Sequence, residues 1–306
     1  MQFPLTGTIL PRGPFDFSRS MQIFSGGDPH IQNFAEGIFW QVVHLGTEPA
    51  LLCVRGRGDV EAPILDYSVL ASPDLTLVQR TEGGRKATRI LSLDIDLQTF
   101  YQEMQGDPVL AVITRRLRGL VNPTTESVFE ALVASIIEQQ ISLQVAWSMQ
   151  ERLIHTFGGT IRIGTRTYFA FPSPQRLAGA SVEEVRTSGL SHRKIEYIQG
   201  IARQIEEGAL DLEHLGDGKA TDEVMESLME LRGVGRWTAE LTMLRGMQRF
   251  DAFPADDLGL RRHIGRFYRG GKGVSADEAR TIAERWGAWK GLAGYYLIVA
   301  DREGLG

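Results

Sequence analysis

The chain has 306 residues, 42% hydrophobic and 23% charged, the balance of a soluble globular protein long enough for two domains or one large domain with an appendage. A formal charge of −5 argues against a nucleic-acid coat protein while leaving room for a local basic face. The single cysteine, Cys53, excludes an internal disulfide and any four-cysteine zinc or iron–sulfur site.

The opening MQFPLTGTILPRGPFDF has no basic flank before an apolar core, so no signal peptide is expected, and no run approaches a membrane span. A cytoplasmic setting is the expectation. Residues 16–24 read as helix. Stretches 38–45, 50–56, 64–70 and 75–81, rich in β-branched and aromatic residues between Gly, Pro and Asp turns, read as strands. Cys53 falls inside the second and reads as a core residue. Residues 97–104 read as a helix capped by Asp96. These elements predict an α+β unit with a small antiparallel sheet.

From residue 107 onward nearly everything reads as helix. Apolar residues at helical spacing run through 126–157, amphipathic with a break near Gln139-Gln140-Ile141-Ser142. Ser173 is placed to cap a helix, short helices follow over 182–186, 194–207 and 212–215, and Thr221 is an expected N-cap for the helix after it. Residues 276–286 and 292–299 close the chain as helices. The predicted organisation is an N-terminal α+β domain over 1–112 and a helical body over 113–306, with a helix–hairpin–helix at about 222–247.

That hairpin carries the chemistry. One helix ends in Leu231-Arg232-Gly233-Val234-Gly235, and the next starts at once at Arg236-Trp237-Thr238 with no Ser, Thr, Asp or Asn cap. Its first amides, at the positive end of a helix dipole, are free for an outside acceptor such as a DNA phosphate. Gly-Val-Gly also occurs in turns that bind nothing, so the pattern gains weight only with what surrounds it. Downstream, Asp256-Asp257 precede a further helix, where an aspartate serves equally as an N-cap. The run Arg115-Arg116-Leu117-Arg118 reads as a solvated helix face, whereas Arg232, Arg236, Arg245, Arg261, Arg262 and Arg266 gather around the hairpin and are candidates for phosphate contact.

Leu231-x-Gly233-Val234-Gly235-Arg236-x-Thr238-Ala239, with Pro254-x-x-Asp257 downstream, resembles the helix–hairpin–helix DNA glycosylases. Phe129-Glu130-x-Leu132-Val133-x-x-Ile136-Ile137-x-Gln139-Gln140-Ile141-Ser142, Phe171-Pro172-x-Pro174, Gly189-Leu190-x-x-x-Lys194 and Ala283-Glu284-Arg285-Trp286-x-x-Trp289 extend the likeness upstream and downstream. With Pro14-Phe15-Asp16-Phe17, nearly the whole chain is similar to the 3-methyladenine DNA glycosylase II family (AlkA type).

The resemblance implies base flipping and hydrolytic excision of alkylated bases, chiefly 3-methylpurines, from duplex DNA by a monomer in a bacterial cytoplasm. It places the catalytic carboxylate at Asp257, with Asp256 its structural neighbour, and Trp237, Leu241, Leu258 and Ile298 in the base pocket. The last three are aliphatic where the best-known bacterial member is aromatic, which leaves the lesion range open. Gln140 aligns with the residue that fills the gap left by the flipped base, with Gln139 beside it. Gly233, Gly235, Arg236 and Thr238 align with the phosphate grip. The carbonyls of Met229, Leu231 and Val234 match a hairpin that holds Na+ or K+ in relatives. Family members that also nick the backbone carry a lysine where this chain has Trp237, so no lyase activity is expected. Hypoxanthine, ethenoadenine or uracil are the alternative substrates, and a non-catalytic damaged-DNA-binding module is the alternative class. Tyr295, Tyr296, Phe24 and Trp289 read as core.

Overall fold

A computed structural model describes residues 4–71 and 75–305, so Met1–Phe3 of the N-terminal stretch lie outside it. Strand β1 (Gly7–Ile9), helix α1 (Phe17–Met21), and strands β2 (Gln32–Ala35), β3 (Ile38–Leu45), β4 (Glu48–Gly58) and β5 (Pro63–Leu70) come first. The five strands pair antiparallel in the order β1-β5-β4-β3-β2. Helices α2 (Leu77–Ile90), α3 (Leu97–Glu103) and α4 (Leu110–Arg116) lead into the body. Then come α5 (Val128–Glu138), α6 (Leu143–Phe157), the hairpin β6 (Thr160–Ile163) and β7 (Arg166–Phe169), α7 (Pro174–Ala178), α8 (Val182–Arg186) and α9 (His192–Glu206). Helices α10 (Thr221–Met229), α11 (Arg236–Met247), α12 (Leu258–Tyr268), α13 (Ala276–Ala283) and α14 (Lys290–Arg302) complete the chain. The α+β class holds, an antiparallel sheet followed by a mainly helical body. Residue 112, expected to divide the two domains, lies within α4.

Three local expectations fail for physical reasons. Residues 75–81 open a helix: Thr76 accepts the Gln79 amide, and the Gln79 side chain accepts the Thr76 N–H at 3.0 Å, a capping box that outweighs the β-prone composition. Its apolar residues Leu77 and Val78 point into solvent, so they carry no strand-like alternation. Residues 212–215 form turns, because the Glu213 carboxylate is drawn onto the first amides of α5, accepting from Val128 N at 3.0 Å and Phe129 N at 3.1 Å. Helix α10 begins one residue earlier than a Thr221 cap requires, with Ala220 at the N-cap and Glu223 reaching back to its amide at 3.2 Å. The hairpin β6–β7 fills the irregular stretch that Pro172-Ser173-Pro174 ends. It covers the far face of the sheet, where Ile161 and Tyr168 pack with Ile38, Val42, Leu51 and Cys53. Cys53 is the core residue expected, and burial pushes its thiol up to about 12.

Helix α5 is the axis of the body. Every residue from Val128 to Glu138 is buried, so α5 is enclosed on all sides where an amphipathic helix was expected; the amphipathic half of that stretch is α6. Helix α11 lies against it so closely that a Cβ at Gly246 would meet Ala131 Cβ at 2.8 Å and Val128 Cα at 3.0 Å. Enclosure forces the polar residues of α5 to find partners. Glu138 is held by Arg245, whose Nη1 donates to both carboxylate oxygens at 2.8 Å. At the other end, Glu126 accepts Lys86 Nζ at 2.7 Å and the His44 amide at 2.6 Å, tying β3 and α2 to the body. Burial opposes ionisation of Glu126, yet His44 and Lys86 hold its carboxyl below its usual range.

Glu130, one turn on, accepts only the Glu126 amide, at 3.0 Å. Burial and then the Glu126 charge push its carboxyl from 4.5 up to about 8. The folded state therefore binds a proton the unfolded chain has released. That stabilisation is fully present below the unfolded value and is lost as pH rises through the folded one. The isosteric, uncharged Glu130→Gln keeps the acceptor and removes the titration. Between about pH 5 and about pH 9 its melting temperature should fall less than that of the wild type, by a few degrees. Parallel melting curves for the two proteins would contradict this assignment.

Candidate active site

Helix α11 brings together most of the residues singled out in the sequence. Its N-cap, Gly235, offers no side-chain oxygen, and the first backbone bond of the helix runs from Ala239 N to Gly235 O at 2.9 Å. The amides of its first turn therefore have no partner within the helix. The two hairpin glycines are glycine for different reasons. Gly233 has φ +91°, and a Cβ there would come within 2.1 Å of the Tyr197 ring. A Cβ at Gly235 would meet nothing within 4 Å. The protein itself does not require glycine at 235; only a group approaching from outside would.

Behind the hairpin, Gln139 at the end of α5 donates its amide to Gly233 O and Thr238 Oγ1, both at 2.9 Å. Its side chain is thus committed to joining the α5–α6 loop to the hairpin. Gln140, next in that loop, is exposed and sits in the left-handed region at φ +59°, rare outside glycine. Lys194 of α9 fixes the turn, its ammonium donating to Ile137 O and Gln139 O at 2.8 Å each. Burial pushes that ammonium below its usual range. The motif Gly189-Leu190-x-x-x-Lys194 marked this lysine in the sequence, but its contacts with the α5–α6 turn are long-range and appear only in the fold.

Asp257 is the N-cap of α12: Oδ1 accepts the Leu260 amide at 2.8 Å, and Oδ2 accepts the Trp237 indole N–H at 3.3 Å. The carboxylate is half-buried at the positive end of a helix, with both oxygens oriented. Capping leaves Asp257 free for an active-site role as well. Asp256 is exposed and turned away onto Arg280. Leu258 is 76% exposed beside Asp257, Leu241 is buried one turn beyond Trp237 on α11, and Ile298 is half-buried on α14, which packs against α12. A cavity of about 1120 Å³ opens at the opposite end of α5, around His44, Lys86, Glu126 and Phe171, and shares no lining residue with this site. Eleven residues of helix, roughly 16 Å, separate the two.

The basic residues near the hairpin are mostly engaged internally. Arg232 pairs with Glu196, Arg236 with Glu240, Arg245 with Glu138 and Arg266 with Asp301, while Arg261 Nε donates to Val274 O. A basic face for a polyanion must therefore come chiefly from backbone amides and partial exposure. Among the described residues no cluster of three His, Cys, Asp or Glu side chains forms a metal site, and no helix is long and apolar enough to cross a membrane.

The chain matches the model of the HhH-GPD superfamily base excision DNA repair protein over residues 133–288. The DNA-3-methyladenine glycosylase of Bacillus subtilis (strain 168) is 33% identical over 205 residues, 67% of this chain and 67% of that protein. DNA-3-methyladenine glycosylase 2 of Escherichia coli (strain K12) is 31% identical over 175 residues, 57% of this chain and 58% of that protein. Among solved structures, a 3-methyladenine DNA glycosylase from Archaeoglobus fulgidus has a TM-score of 0.85 and 28% identity, covering 97% of this chain and 98% of its own. An uncapped hairpin helix, a carboxylate at the start of the helix after it, and these likenesses lead to one conclusion: the chain belongs to the HhH-GPD superfamily of base excision DNA repair proteins.

Proposed function

We propose that this protein is a monofunctional DNA glycosylase that flips an alkylated base of the 3-methyladenine type out of duplex DNA and hydrolyses its N-glycosidic bond, with Asp257 as the catalytic carboxylate. The observation that carries this reading is the double anchoring of Asp257 by the Leu260 amide and the Trp237 indole. Cleavage of the bond builds positive charge on the sugar. A carboxylate already fixed in place stabilises that charge without reorganising, and it can orient or deprotonate the attacking water. An N3-alkylated purine is cationic before it leaves, so a second acid is not required.

The remaining roles follow from position. The first-turn amides of α11, from Arg236 through Thr238, together with Gly235, take a backbone phosphate and set the register of the duplex. Gln140, held outward by Lys194, fills the gap in the stack, offsetting part of an unstacking cost on the order of a few kcal/mol. Trp237 offers a ring face to the flipped base, with Leu241, Leu258 and Ile298 as aliphatic walls. The carbonyls of Met229, Leu231 and Val234 are neutral oxygens suited to Na+ or K+, which would brace the hairpin as it meets the phosphate. Trp237 has no amine for a Schiff base, which supports hydrolysis without strand cleavage. The protein acts as a monomer, and the segment 1–112 supports the body.

Base release from methylated duplex DNA tests the central role. Wild type should free 3-methyladenine without nicking the strand, and Asp257→Asn should lose at least about 100-fold in rate while still binding DNA. Equal rates in the two proteins would remove Asp257 from the chemistry. The hairpin glycines give a second test. Gly233→Ala should destabilise the fold by about 1–3 kcal/mol because of its positive φ and the Tyr197 ring. Gly235→Ala should cost under about 1 kcal/mol of stability yet weaken duplex binding several-fold. Unchanged binding in Gly235→Ala, measured by gel shift at fixed salt, would contradict the phosphate grip.

A further inference from the structure

Behind Asp257 lies a charged chain that the reaction as described does not use. Glu240 sits on α11 three residues after Trp237 and is only 3% exposed. Its Oε1 accepts Arg236 Nε at 3.0 Å and Arg280 Nη1 at 2.9 Å. Among the described residues its Oε2 is buried with no partner. Arg280, from α13, turns its other nitrogen, Nη2, onto Asp256 Oδ2 at 2.7 Å. A half-satisfied buried carboxylate is a costly way to pack a helix. The return lies in what it holds. Trp237 and Glu240, on neighbouring positions of one helix, reach the two adjacent aspartates, Trp237 directly and Glu240 through Arg280. The loop between is closed by Ala255 N to Phe253 O at 2.8 Å and Asp257 N to Pro254 O at 2.9 Å.

The charges explain the arrangement. Two neighbouring carboxylates would repel each other and any phosphate brought to the hairpin. Arg280 cancels Asp256, whereas Asp257 has no cation within 4.0 Å among the described residues. One anion is thereby left to face the sugar. We propose that Arg280, anchored by Glu240, is a positioning residue that neutralises Asp256 so that Asp257 acts alone. This rests on the reading of Asp257 as the catalytic carboxylate.

Single-turnover base release from methylated duplex, with protein in excess, tests it, with Asp257→Asn as the control. Arg280→Gln, which frees the Asp256 charge, should slow release about ten-fold. Adding Asp256→Asn to Arg280→Gln should restore the rate to within about three-fold of wild type, because the freed charge is gone. Arg280→Lys should retain most of the rate. A merely structural role for Arg280 predicts no rescue by Asp256→Asn, since that change fills no space and restores no contact. A folded double variant as slow as Arg280→Gln, or Arg280→Gln at the wild-type rate, overturns the proposal. Should Arg280→Gln fail to fold, Asp256→Asn alone and Arg280→Lys decide: release by both within about three-fold of wild type supports it, and a ten-fold loss in either overturns it. Failure of wild type to release any base, or full activity in Asp257→Asn, would overturn the Asp257 reading itself.

Discussion

The first turn of α11 is the constraint on which the site depends. A helix that starts at a glycine leaves donors unsatisfied, a cost of only about a few tenths of a kcal/mol relative to a serine or aspartate at position 235. The same turn must present those amides outward, place the Trp237 indole on Asp257 and give Thr238 to Gln139. Three segments distant in sequence, the end of α5, the hairpin and the start of α12, therefore meet over three consecutive residues. Small errors in the position of α11 would reach all of them at once. Its tight packing on α5 at Gly246 and the Arg245–Glu138 pair at its far end hold it in place.

The surroundings are built to resist such errors. Helix α5 is fully enclosed, so its ends can move only if the core moves. At its N-terminus Glu213 caps the amides and Glu126 draws in His44 and Lys86 from the sheet and α2. At its C-terminus Lys194 and Gln139 fix the loop that carries the left-handed Gln140. Both ends are secured by part-buried polar contacts, which are directional in a way apolar packing is not. The N-terminal sheet is thus part of what steadies the axis of the site, although it contributes no residue to it.

Much of this was legible in the sequence. Runs rich in β-branched and aromatic residues between turn residues located β3, β4 and β5, and helical spacing with a polar break separated α5 from α6. The absent cap after Gly235 and the aspartate before α12 were visible as local patterns, and the family resemblance pointed to Asp257 of the two aspartates. What escaped was non-local. The hairpin β6–β7 covers the far face of the sheet from more than a hundred residues away in sequence; at α2 a local Thr-x-x-Gln capping box outweighs the β-prone composition. Glu240 and Arg280 gave no signal, because charged residues on helices look alike until tertiary structure pairs them. The basic residues around the hairpin showed no sign in the sequence of the carboxylates that several of them pair with in the fold.

The central claim is that a fixed carboxylate meets positive charge developing on the sugar. The most direct measurement compares affinity for two duplexes, one carrying a cationic pyrrolidine and the other a neutral tetrahydrofuran at the target nucleotide. Wild type should prefer the cation by at least about ten-fold, and Asp257→Asn should lose that preference while binding the neutral duplex normally. The same preference in both proteins would mean that Asp257 does not face the reacting carbon, and would contradict the account.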